Sequence, residues 1–262
     1  MPMSMSRRYP AIASSAAVST SLATLAGHLH SQNGEEVALH AQFFSDNRPH
    51  TFVELGALDG LTGSNTFALE QALQWRGVLI EANPKQCQKL IKNRPAARCL
   101  CTAISANYAT VHFESGAYST TFGERAQMDG AALRWHMHPE RYVHAWVPSA
   151  PLGHLLRMVG LASIDLVSLD VEGAEMKVLK TYDWSMPVRV WCIEVSSPRH
   201  RAVDEFMASK GYRNERWLAN GEYELAGSQL WVWNATWTPD EYTWRQYNAR
   251  SCLGCNDSKT AA

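Results

Sequence analysis

The sequence predicts an α/β fold, a mostly parallel sheet covered by helices on both faces. Three observations point to it. Short apolar runs alternate with helical-period segments from about residue 50. A glycine-bearing loop, Gly56–Gly60, follows directly on the first of these runs. The chain has 262 residues, 46% of them hydrophobic and 19% charged, enough for one sizeable core. Strand–helix alternation is the pattern of a parallel sheet buried on both sides.

In order along the chain, Thr51–Leu55 reads as a buried strand and Asn65–Trp75 as a helix, with Phe67, Leu69, Ala72 and Leu73 as its apolar positions and Thr62 or Ser64 as its cap. Gly77–Glu81 is a second strand. Pro84 opens a helix through Ile91, a favoured place for proline. Arg98–Ile104 is a third strand and Thr110–Phe113 a short fourth. Residues 115–147 read as an irregular insert rich in His, Tyr and Trp. Leu152–Val159 is helical, Ile164–Leu169 a strong strand, and Ala174–Leu179 the helix after it. Val188–Val195 is another buried strand. Arg201–Lys210 is a helix stopped by Gly211, and Gln229–Trp237 is an aromatic-rich strand. No internal repeat is visible.

The formal net charge of -1 gives no electrostatic case for nucleic acid or an anionic membrane surface. Residues 1–34 contain no Asp or Glu, carry Arg7 and Arg8, and are rich in Ser, Ala and Thr. They read equally as a transit-like segment or a plain disordered leader, so the compartment is cytoplasmic or organellar. Ala11–Leu25 falls short of the roughly 18–20 strongly apolar residues of a membrane span, although a weak secretory signal stays open. The folded domain is expected over 35–250, with 251–262 as a tail. Six cysteines, Cys87, Cys99, Cys101, Cys192, Cys252 and Cys255, are sparse in so long a chain and read as reduced thiols. Cys252–Cys255 is a lone CxxC pair, short of the roughly four ligands zinc takes, so no metal site is expected there.

In such sheets ligands sit beyond the carboxyl ends of the strands. The first strand ends in Glu54-Leu55-Gly56-Ala57-Leu58-Asp59-Gly60, which is not a GxGxxG fingerprint. Glu54 and Asp59 bring negative charge to the spot where that fingerprint would hold a pyrophosphate. Two carboxylates repel a diphosphate and suit a ligand carrying an ammonium and a sulfonium. The second strand ends in Glu81, where one carboxylate can accept both hydroxyls of a ribose, with Ala82 and Asn83 passing the base.

Three blocks carry a family resemblance: Phe52–Gly60 with Ser64-Asn65-Thr66, Trp75–Pro84, and Ile164–Glu175, joined more weakly by Cys192–Val195. Together the chain resembles the FkbM-type methyltransferases over roughly residues 50–212. The resemblance implies a class I methyltransferase fold, a Rossmann-like three-layer sandwich. Its mostly parallel seven-stranded sheet has an antiparallel last strand. It implies S-adenosylmethionine as cofactor and O-methylation of a hydroxyl on a small-molecule, sugar or lipid-like acceptor. By matching positions it makes Glu54, Gly56, Asp59, Asn65, Glu81 and Asn83 cofactor contacts. Ala57, Gly60, Ser64, Thr66 and Ala82 lie in the same blocks, and Ala103-Ile104 flank the adenine. Leu58 stands where the wider methyltransferase pattern often has glycine.

Methyl transfer from a sulfonium needs alignment first and, for an alcohol, a base within hydrogen-bond reach. Asp170, at the end of its strand, is the first choice for the reaction, either as base or on the cofactor's amino group. Glu194 is its neighbour across the next strand. Glu172 and Glu175 suit the start of a helix. Asp170 and Glu194 could share a divalent ion, but two ligands do not make a site. His136, His138, His144 and His154 are alternative bases, each more simply a surface or packing histidine. Tyr118, Trp135, Tyr142 and Trp146 form either a substrate wall or the packing of the insert. Trp231, Trp233 and Trp237 alternate at strand period and read as core. The rival classes are a non-catalytic protein on the same fold and a nicotinamide oxidoreductase. The missing third glycine and the extra carboxylates count against the latter.

Overall fold

The computed structural model describes residues 16–114, 142–195, 200–215 and 227–233. In chain order the first elements are α1 Ala16–Thr24, α2 Glu35–Phe43, β1 Thr51–Leu55, α3 Phe67–Leu73, β2 Arg76–Glu81, α4 Pro84–Asn93, β3 Arg98–Cys101, β4 Ala103–Ile104 and β5 Ala109–Glu114. Then follow β6 His144–Ala150, α5 Leu152–Met158, β7 Ile164–Leu169, α6 Glu175–Thr181, β8 Val188–Val195, α7 His200–Ser209, β9 Tyr212–Asn214 and β10 Gly227–Trp233.

Seven strands form one sheet in the order β3-β2-β1-β7-β8-β10-β9. The first five are parallel to their neighbours, and β10 runs antiparallel to both β8 and β9. This is the mostly parallel sheet with a reversed last strand expected above. Strand order reverses between β1 and β7, which places a crevice beyond their carboxyl ends. Register there is pinned from below. Thr51 donates both its backbone N–H and its hydroxyl to Asp165 Oδ2, at 2.9 and 3.0 Å.

Side chains alternate between the two faces along each strand. Val53, Leu55, Val78, Ile80, Val167 and Leu169 join a core covered by α5, α6 and α7. Phe52, Leu79, Cys99, Leu166, Val190 and Cys192 join a second core with residues of α2, α3 and α4, and with Leu25 just beyond α1. Both faces are therefore covered, which makes the three layers.

Several boundaries depart from the sequence reading. Residues 16–34, read above as part of a transit-like segment or a disordered leader, pack against the domain. Leu25 is wholly buried, and Ser21 Oγ lies 2.8 Å from His40 Nδ1. The polar composition misled because this segment is held by a few buried contacts rather than by an apolar stripe. The expected strand Arg98–Ile104 breaks at Thr102, whose N–H bonds the carbonyl of Glu81. The chain then leaves the main sheet, and β4 pairs with β6 in a separate three-stranded sheet with β5. The insert is regular from His144, where β6 begins. Its part from 115 to 141, including Tyr118, Trp135, His136 and His138, lies outside the described residues, as do Trp237 and the CxxC pair. Cys87 and Cys101 form a disulfide, correcting the preferred reading of reduced thiols for this pair, whereas Cys99 and Cys192 are buried thiols outside any disulfide. The pairing arises because α4 packs beside β3, a proximity the sequence does not print. The helix after the loop is also shorter than read. Its N-cap is Thr66, and Ser64 Oγ accepts the N–H of Phe67 at 3.1 Å.

No described helix is long and apolar enough to cross a membrane. If the segment around Leu25 is part of the core, Leu25→Ala will lower unfolding stability by about 2–5 kcal/mol, the usual cost of emptying a buried leucine site. Denaturant midpoints measure this, and an unstructured leader predicts no change.

Candidate active site

The loop after β1 is held between the ends of β2 and β7. The N–H groups of Gly56 and Ala57 both bond the carbonyl of Ile80, and Asp170 N–H bonds the carbonyl of Leu55. Gly56 has φ +75, and a Cβ there would lie 1.8 Å from the carbonyl oxygen of Asp170. Only glycine fits so close an approach of two strand ends. Leu58 adopts φ +48, the left-handed region, at the position where the wider pattern often has glycine. A side chain there costs roughly 1–2 kcal/mol, and such strain collects at functional loops. Glu172, in the facing loop after β7, shares this conformation with φ +55, as do Asn47 and Gln74 away from the crevice.

The acids divide by role. Glu54 is buried and turned inward. It accepts Ser64 Oγ–H at 2.9 Å, Asn65 N–H at 2.9 Å and Thr66 Oγ–H at 2.6 Å. Asp59 closes its own turn, accepting the N–H groups of Leu61 and Thr62 at 3.0 and 2.8 Å. Asn65 reaches across to β7, donating to Ser168 Oγ at 3.0 Å. Glu81, buried at the end of β2, ties the β1 loop to the segment that opens α4. Its Oε2 accepts Leu58 N–H at 2.8 Å and its Oε1 accepts Asn83 N–H at 2.6 Å. Asn83 in turn caps α4 through Oδ1, and Ala82 between them is partly exposed. Ala103 and Ile104 are buried in β4, one residue past the point where Thr102 bonds Glu81. Ser64 and Thr66, at the end of the loop, thus turn their side chains inward to Glu54, while Gly56, Ala57 and Gly60 form its first half and Glu81, Ala82 and Asn83 its facing edge.

Asp170 and Glu194 come together as read from the sequence: their carboxyl groups are hydrogen-bonded to each other. Burial, then the negative charges of Glu194, Glu172 and Glu175, push Asp170 well above the usual carboxylate range. Burial, with Glu172 and Glu35 nearby, raises Glu194 as well, against the lowering effect of its bond from Asp170. Two adjacent carboxylates that cannot both ionise share a proton. Asp170 Oδ1 is buried with no hydrogen-bond partner among the described residues, an acceptor left for something else. Glu175 is accounted for by its own loop, accepting Val171 and Gly173 N–H groups. Among the described residues no three His, Cys, Asp or Glu are placed to hold a metal ion.

His144 and Trp146 lie on β6 beside His112, with the two imidazole centroids 4.2 Å apart, and Trp146 is exposed. His154 packs edge-on against Tyr108, and Tyr142 hydroxyl bonds Glu114. Trp231 is core, and Trp233 packs on Tyr212.

Sequence reasoning missed three participants. Arg94, with no exposed surface, donates to Gly60, Ser64, Thr66 and Glu70. Glu70, an acid on an otherwise apolar helix face, was the one available signal. The chain preceding α2 also crosses the loop: Ser31 forms a β-bridge with Gly63, and His30 packs on Phe67 at 4.5 Å. Glu36 holds that crossing by accepting the N–H groups of His30 and Ser31, and burial pushes its carboxyl up to about 7.

The sheet order with its antiparallel β10 and the tight glycine loop at the end of β1 define a Rossmann-like fold of three layers. The methyltransferase FkbM domain matches residues 54–214, more than half of the chain, and the protein belongs to that family. A methyltransferase FkbM from Methylobacillus flagellatus KT is similar in structure, with 13% identity and a TM-score of 0.47 over 82% of this chain. The chain spans 58% of the length of that structure. An O-methyltransferase from Bacillus cereus, in complex with SAH, has 14% identity and a TM-score of 0.40, covering 83% of this chain and 91% of that one. TomG from Streptomyces achromogenes, an O-methyltransferase in complex with SAM, has 12% identity and a TM-score of 0.41, covering 84% and 90%. No curated protein sequence matches the chain.

The raised acid pair sets a stability prediction. A carboxyl whose folded pKa is raised contributes stability below its unfolded pKa of about 4, and this is lost as pH rises through the folded value. Glu194→Gln removes one of the two charges. Its thermal midpoint will exceed that of wild type at pH 8, and the difference will shrink towards pH 4. An equal midpoint at both pH values would show that the pair is not strained by ionisation.

Proposed function

We propose that the protein is an S-adenosylmethionine-dependent methyltransferase acting on a hydroxyl of a small-molecule, sugar or lipid-like acceptor. The observation that carries the reading is Glu81, a buried carboxylate at the end of β2 that faces the β1 loop and bonds Leu58. A carboxylate has about four acceptor positions, so this group can hold the loop and take ribose hydroxyls together. The residues fit the cofactor in two further respects. Gly56 permits the close approach of β1 and β7, and the unpartnered Oδ1 of Asp170 offers an acceptor to an ammonium. Bound there, the cofactor supplies an electrophilic methyl group on a sulfonium.

The chain's own residues would do the rest. Asn83, Ala103 and Ile104 bound the adenine side. Glu54, Ser64 and Thr66 act indirectly, by shaping the loop. Asp170 and Glu194 hold one proton between them, and the ionised member accepts the proton of the acceptor hydroxyl as its oxygen attacks. Raising a carboxylate towards neutrality makes it a better base while leaving a fraction ionised. The neighbouring Glu172 and Glu35 oppose a second negative charge in the pair.

Calorimetry of the full chain with S-adenosylmethionine tests the binding half, and wild type is expected to bind while Glu81→Ala loses most of its affinity. Absence of binding by wild type, or an unchanged Glu81→Ala, would overturn the reading. Labelled-methyl transfer to an acceptor panel tests the other half. Glu194→Gln is expected to slow transfer by about 10²–10⁴-fold, the range for a lost general base, with cofactor affinity retained. Binding with no transfer to any acceptor would favour a non-catalytic member of the family.

A further inference from the structure

We infer that Arg94 is a positioning residue for the cofactor: it sets the shape of the Gly56–Thr66 loop, and through it the affinity for S-adenosylmethionine, without touching the ligand. The inference rests on the methyltransferase reading above. Arg94 follows the last residue of α4 and has no exposed surface, so a ligand in the crevice cannot reach it. Its guanidinium binds the loop at successive points. Nη1 donates to the Gly60 carbonyl at 3.0 Å and to Ser64 Oγ at 3.2 Å. Nη2 donates to Thr66 Oγ at 3.1 Å and to Glu70 at 2.8 Å. Glu54, which gathers Ser64, Asn65 and Thr66, lies 3.8 Å from Nη1.

The fork is what the site uses. Arginine presents several donors in one rigid plane, whereas lysine is a flexible point charge. The rings of Phe52 and Phe67 each have their centroid 5.5 Å from Cζ. Its stem abuts the loop so closely that a Cβ on Gly60 would lie 2.6 Å from Arg94 Cγ. The loop's midpoint is therefore set by α4.

The same helix begins at Pro84, directly after its cap Asn83, whose N–H bonds Glu81. Near its start, Cys87 is joined by disulfide to Cys101, the β3 residue paired with Glu81 across the sheet. One short helix thus references the ribose acid at its first turn and the β1 loop at its end. A shift of the guanidinium would move the loop relative to Glu81, which is a loss of alignment between two halves of one ligand site.

The test uses the full chain with S-adenosylhomocysteine as the probe, by calorimetry at low temperature. Amide hydrogen exchange is read in parallel. Arg94→Lys keeps the charge and loses the fork. It is expected to bind at least about tenfold more weakly, equivalent to about 1.4 kcal/mol, with faster exchange confined to residues 56–66 and unchanged protection in β7 and β8. Glu70→Gln leaves the other guanidinium contacts in place, and a smaller loss of the same kind is expected. If Arg94→Lys does not fold, Glu70→Gln decides by the same two readouts. Wild-type affinity in the folded variant, or weakening matched by exchange across the whole sheet, would overturn the positioning role and leave a purely structural one. Failure of wild type to bind would instead overturn the methyltransferase reading and this inference with it.

Discussion

The buried ion cluster of Arg94 with Glu54 and Glu70 is the constraint on which the crevice depends. Its geometry places Arg94 Nη2 2.8 Å from Glu70 and Nη1 3.8 Å from Glu54, with all three side chains out of solvent. Taking such charges from water is costly, and removing one partner typically costs about 3–5 kcal/mol because the others are left uncompensated. Evolution could have filled that space with hydrocarbon at less risk. A charged cluster instead brings directionality. Arg94 Nη1 and Nη2 donate to Gly60, Ser64 and Thr66, and Glu54 accepts from Ser64, Asn65 and Thr66, so the loop is fixed at several points along its path. Gly56 and Leu58 can then adopt the left-handed backbone that brings β1 against the Asp170 carbonyl.

This arrangement separates two jobs that a loop rich in acids confuses when read as a string. Glu54 is engaged inside the protein with serine, threonine and backbone partners, and the half-buried Asp59 is engaged by its own turn. Glu81 ends β2, while Asp170, Glu172 and Glu194 gather at the ends of β7 and β8. The second group is unusual in having its charges face each other under burial. That is a poor arrangement for stability and a reasonable one for a site that handles protons.

Much of the fold was legible because it rests on short-range chemistry. The apolar runs at Thr51–Leu55, Ile164–Leu169 and Val188–Val195 are strands because every residue in them is buried or nearly so. Pro84 after Asn83 starts a helix for reasons contained in those two residues. The Asp170–Glu194 pairing was legible because parallel neighbours ending together bring their terminal acids together. What was not legible depends on contacts between distant segments. Nothing local marks Cys87 and Cys101 as partners across α4 and β3, or says that the serine-rich stretch before residue 34 will lie over Gly63. Arg94 sits in a run of basic and polar residues, where a solvated side chain is the ordinary outcome. Its burial is decided by Glu54 and Glu70, which are 40 and 24 positions away. Thr102 is a similar case: the strand pattern continues through it, but its N–H is taken by Glu81, and the chain turns aside.

On the proposed function, the crevice between β1, β2 and β7 is a cofactor site whose ribose is held by Glu81. A crystal structure of the protein with S-adenosylhomocysteine tests it most directly. The expected result is the ribose hydroxyls on the Glu81 carboxylate, the adenine between Asn83 and Ala103-Ile104, and the sulfur facing the Asp170–Glu194 pair. Density for the nucleoside at any other place, with Glu81 making only its contacts to Leu58 and Asn83, would contradict it.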